Sequence, residues 1–97
     1  MPQLTENYVA LPRLIRKITA GLKREKYVNR VAVQSSDIRS IGYDSAELIL
    51  EVEFHSRAIY QYFGVGQRVY DCFLDAPSKG KFFTVEIRNR FQYTKLA

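Results

Sequence analysis

A chain of 97 residues with fifteen Lys and Arg against ten Asp and Glu carries a net charge of +5. That length supports one hydrophobic core and leaves no room for a second domain. No apolar run approaches the roughly 18–20 residues a bilayer-spanning helix needs, and a single Cys with a single His excludes both an internal disulfide and a tetrahedral zinc site.

The charge is unevenly spread. Residues 1–28 hold six basic and two acidic groups, residues 29–78 four basic and seven acidic, and residues 79–97 five basic and one acidic. If the two basic ends fold side by side they form a patch suited to phosphates. The residues after Met1 are polar and lack the basic start and apolar block of a secretory signal, so a cytoplasmic, soluble protein is expected.

Taken in order, residues 1–10 read as a loose lead-in. Leu11, Leu14, Ile15, Ile18 and Leu22 then recur at helical spacing, with Pro12 tolerated in the first turn, which predicts an amphipathic helix. Arg13, Arg16, Lys17, Lys23, Arg24 and Lys26 cover much of its remaining surface, and the absence of Trp and Phe from its apolar side argues against a membrane-surface role. We therefore divide the chain into residues 1–28, a lead-in and helix, and residues 29–97, a compact domain.

Val31 to Gln34 is short and β-branched, and Ser35, Ser36 and Asp37 supply turn chemistry. Ile38 to Tyr43 resumes in extended form, with Ile41 and Tyr43 assigned to one face and Ile38 and Ser40 to the other. Asp44, Ser45 and Ala46 turn the chain into Leu48. From there Leu48, Leu50, Val52 and Phe54 alternate with Glu51, Glu53 and His55, the pattern of a strand with one buried and one solvated face. His55, Ser56 and Arg57 form the turn of a hairpin whose second strand, Ala58 to Phe63, places Tyr60 and Tyr62 on one face.

Gly64 and Gly66 end that strand. Val65, Val69, Cys72, Phe73 and Ala76 have helical spacing, which predicts a short helix over 67–75 and makes Cys72 a packing thiol. Pro77 stops the helix and Ser78 can cap the next segment. Residues 79–90 carry opposed signals: Phe82, Phe83, Thr84, Val85 and Ile87 suit a strand, whereas Phe83, Ile87 and Phe91 at four-residue spacing behind a Ser cap favour a helix, the reading adopted here. The result is an α+β domain: an N-terminal amphipathic helix, an antiparallel β-meander of three or four strands, and one or two C-terminal helices on one face.

In order and spacing, SSDIRSIGYD (35–44), LEVEF (50–54), YQY (60–62), VYDCFLDAPSKGKFF (69–83) and Ile87 resemble the KTSC domain, named for the C-terminal segment of some lysyl-tRNA synthetases. The resemblance spans about Val31 to Phe91 and leaves the preceding helix unexplained. It implies a small stand-alone bacterial domain with a suggested link to RNA. One departure is Gly66, where families of this look usually carry proline, which is expected to loosen the strand-to-helix corner.

No arrangement for catalysis is evident. Ser35, Ser36 and Asp37 read as turn formers, and Glu51 and Glu53 as a solvated pair. Gly64-Val65-Gly66 is too short for a phosphate loop, so no cofactor or small-molecule substrate is expected. The residues do suit RNA: Tyr60 and Tyr62 as an exposed stacking platform, bordered by Arg57, Lys79, Lys81, Arg88 and Arg90. A competing arrangement packs both rings beneath a helix with their hydroxyls at its edge. The alternative function is protein interaction or homodimerisation through the N-terminal helix, with both tyrosines structural.

Overall fold

The computed structural model describes residues 27–97. Five strands, β1 (Arg30–Ala32), β2 (Ile38–Asp44), β3 (Ile49–Phe54), β4 (Ile59–Phe63) and β5 (Tyr93–Lys95), form one antiparallel sheet in sequence order. Helix α1 (Gln67–Asp75) and a short helix α2 (Lys79–Phe82), which continues into one π-helical turn over Phe83–Ile87, lie between β4 and β5. The domain is α+β as expected, with one strand more than the sequence suggested. The predicted helix over Leu11–Leu22, and any dimer built on it, lie outside the described residues.

The turns follow from local side-chain chemistry. Ser35 Oγ accepts from the backbone N–H groups of Asp37 and Ile38, and Asp44 Oδ1 accepts from those of Ala46 and Glu47, so each side chain stands in for a backbone partner. Ser78 caps α2 by accepting from Lys81 N–H at 3.3 Å. Ala76, ahead of Pro77, is extended at φ −64° and ψ 134°, the conformation a following proline imposes, and this ends α1.

Leu50, Val52, Tyr62, Val65, Phe73, Phe83 and Ile87, with Ile38 and Ile41, make the core between the sheet and its helices. Assigning Ile38 and Ile41 to opposite faces was incorrect. The register slips between Ile38 and Ser40, and this β-bulge returns Ile38 to the core side while Ser40 keeps the far side. Cys72 also departs from expectation, being exposed. The stripe that packs on the core is Val69, Tyr70, Phe73 and Leu74, and Cys72 falls beside it.

The solvated face predicted for β3 is absent. Glu51 is fully buried: its carboxylate accepts from Gln61 Nε2 at 2.7 Å and from Val28 N–H at 2.9 Å, and pairs with the Arg30 guanidinium. Arg30 Nε also donates to Ser40 Oγ at 2.9 Å, and Ser40 Oγ donates to Glu53 at 2.8 Å. The chain entering β1 passes so close above Gly42 that a Cβ there would stand 2.2 Å from the Asn29 carbonyl oxygen. Only glycine admits that crossing, and the crossing brings Val28 and Arg30 onto Glu51. Alternation in the sequence identified the strand correctly but could not reveal what covers its polar side.

Candidate functional site

Strand register assembles an aromatic cluster around the exposed Tyr93 ring. Tyr62 lies opposite Tyr93 and Tyr60 opposite Lys95 across the β4–β5 ladder, so all four side chains share the helix-bearing face. The Tyr60 and Tyr93 ring centroids are 5.6 Å apart, those of Tyr62 and Tyr93 5.7 Å, and those of Tyr60 and Tyr62 6.3 Å. Phe54 closes one side edge-on to Tyr60, and Phe83 meets both Phe54 and Tyr62 edge-on.

These rings belong to a groove of about 740 Å³ between β4, β5 and the α2–π segment. Its polar rim includes Asp37, His55, Thr84, Arg88 and Asn89. Within it the three tyrosines differ in exposure. Tyr62 is 4% exposed, Tyr60 is half-buried, and Tyr93 is 57% exposed. Burial, with the neighbouring phenols Tyr60 and Tyr93 adding to it and Arg88 opposing, pushes the Tyr62 hydroxyl up to about 12.

The expected platform of two outward-facing rings therefore needs correction. Tyr62 packs beneath Phe83, as the competing arrangement required, because the turn after α2 crosses that end of the strand. Tyr60 retains partial access, and Tyr93 supplies the exposed ring that the sequence reading missed. Residues 93–95 form a three-residue strand exposed throughout, with no buried alternation to mark it. The available signal was the single Tyr of the basic segment 79–97.

The predicted cations are only partly gathered. Arg88 lines the groove. Arg57 is exposed in the β3–β4 turn at φ 80°, between the groove-lining Ser56 and Ala58. Lys79 Nζ donates to the Ala76 carbonyl at 3.0 Å, and Arg90 lies 3.8 Å from Glu86, one helical turn earlier. Lys81 is exposed on α2 and, like Lys79 and Arg90, is not part of the groove wall. Lys95, which the sequence reading passed over, stands directly across from Tyr60.

Comparison with known proteins gives these residues a context. The chain is 50% identical over 56 residues to an uncharacterized protein from Stutzerimonas stutzeri, covering 58% of this chain and 79% of that one. It is 36% identical over 64 residues to a lysine–tRNA ligase from Trichormus variabilis, an alignment that takes in 66% of this chain but only 11% of the ligase. The crystal structure of a KTSC domain protein from Yersinia pestis superposes with a TM-score of 0.70 at 41% identity, over 73% of this chain and all of that one. The KTSC domain pattern itself matches residues 34–91, a span running from the β1–β2 turn through the π turn, and the chain belongs to the KTSC domain family.

Proposed function

We propose that this domain is a non-catalytic binding module for single-stranded RNA, with the groove beside β4 and β5 as its contact surface. The observation that carries this reading is the exposed Tyr93 ring set beside Tyr60 in a groove that Arg88 borders. Unstacked bases lie on such rings, and stacking contributes about 1–3 kcal/mol per base. Arg88, Lys95 and Arg57 are the cations best placed to follow the phosphates. The alignment with part of a lysine–tRNA ligase supports an RNA context without defining a ligand.

The test is a titration of labelled tRNA and short single-stranded RNA at two salt concentrations. Saturable binding that weakens at the higher salt is expected. Tyr93→Ala should reduce affinity about tenfold, and Arg88→Ala should both weaken binding and flatten its salt dependence. No saturable binding at low salt, or binding indifferent to both substitutions in folded protein, would refute the proposal.

A further inference from the structure

The groove has a direction. Gly80, Thr84 and Arg88 recur every four residues along α2 and the π turn and line one wall. At helical rise their span is about 12 Å. At the Gly80 end stands Asp37, whose Oδ2 would be 3.1 Å from a Cβ placed on Gly80. The backbone of Asp37 is engaged, its N–H with Ser35 Oγ and its carbonyl with His55 N–H, whereas its exposed carboxylate has no hydrogen-bond or ion-pair partner among the described residues.

His55 adds to the same end. Its Nε2 lies 2.9 Å from the Ser35 carbonyl oxygen, and because a carbonyl only accepts, Nε2 carries the proton. In the neutral ring that leaves Nδ1 as an acceptor. At the opposite end Arg88 lines the groove with Asn89 beside it. One end thus accepts hydrogen bonds, the other is cationic, and tyrosine rings lie between.

We propose, on the basis of the RNA reading above, that the groove selects guanine: the base stacks against Tyr60 and Tyr93, its Watson–Crick edge meets Asp37, and a neighbouring phosphate meets Arg88. Guanine presents N1–H and N2–H side by side, matching the two oxygens of a carboxylate. Adenine and cytosine place a ring-nitrogen acceptor next to their amino donor, and uracil flanks N3–H with two carbonyl oxygens. Each of these sets a lone pair against the Asp37 charge, so guanine alone avoids an unmatched acceptor at that end.

Fluorescence anisotropy with seven-nucleotide oligouridylates bearing a single central guanine, inosine, adenine or cytosine tests this. The guanine oligomer should bind at least about tenfold more tightly than all-uridine RNA, with inosine, which lacks the N2 amino group, in between. Asp37→Asn should abolish the preference by weakening guanine binding about tenfold, while all-uridine RNA, no longer facing the Asp37 charge, should bind at least as tightly as it does to wild type and the melting temperature should stay unchanged. Equal affinity across the central bases, or a guanine preference that survives Asp37→Asn, overturns guanine selection and leaves general RNA binding standing. Failure of every oligomer to bind overturns both.

Discussion

The two faces of the sheet handle polar groups in opposite ways. On the far face, Glu51 is sealed from water and its carboxylate is satisfied by Arg30, Gln61 and the Val28 N–H. On the helix-bearing face, beyond the apolar core, Asp37, Arg88 and the Tyr93 ring stand in or beside an open groove. A buried charge must be matched by its own chain, because leaving it unmatched costs several kcal/mol. A polar group that water can reach carries no such penalty and is free to exchange water for a ligand. The Glu51 network therefore serves stability, and the open groove is the surface proposed above for recognition.

That division breaks most directly at Glu51. Glu51→Ala should destabilise the fold by about 3–5 kcal/mol, since it removes the buried carboxylate that Arg30, Gln61 and the Val28 N–H share. Glu51→Gln keeps the shape and should lose less, about 1–3 kcal/mol. Chemical denaturation measures both, and a Glu51→Ala midpoint equal to wild type would show that the network is dispensable. Gly42→Ala tests the crossing that builds this network. A methyl group 2.2 Å from the Asn29 carbonyl must displace the entering chain, at a cost of about 1–3 kcal/mol.

Substitutions in the groove should show the reverse pattern. Tyr93→Ala removes a mostly exposed ring from an edge strand, so stability should fall by less than about 1 kcal/mol while RNA affinity drops about tenfold. A large stability loss without a change in binding would erase the contrast between the faces.

Tyr62 sharpens the boundary between them, because it touches the groove yet packs as core. Its hydroxyl is raised from 10.0 in the unfolded chain to about 12 in the fold. The fold therefore favours the neutral phenol, and the resulting stability is complete below pH 10 and lost as pH rises through about 12. Ultraviolet titration should show tyrosine absorbance that rises late, and Tyr62→Phe should remove the part that titrates near 12 while the raised Tyr43 hydroxyl remains. The smallest effect is expected at Gly66, whose φ of −72° already suits proline and whose Cβ position is open. Gly66→Pro should raise stability by about 0.4–1 kcal/mol by restricting the unfolded chain. Thermal denaturation reads that gain, and a loss would mean the corner needs glycine.

Local signals accounted for much of this domain. The hairpin turn at His55 to Arg57, the short helix of Gln67–Asp75 and the Ser78 cap are each written in a few adjacent residues, because turn and capping bonds form between near neighbours. Even the ambiguous stretch after Ser78 resolved as the cap suggested, into helix. Candidate site residues were harder to read. Arg88 and Tyr60 reached the groove, but Lys79, Lys81 and Arg90 did not, since a basic composition does not specify which way each side chain points.

Amino-acid order alone determined the α+β character, the meander and the placement of most turns, because those depend on periodicity and on hydrogen bonds spanning two or three residues. Tertiary structure decided which glutamate is buried, which tyrosine is accessible, and that Asp37, Tyr93 and Arg88 share one groove. Those outcomes rest on contacts between segments tens of residues apart, and on a chain crossing and a strand pairing that local pattern does not encode.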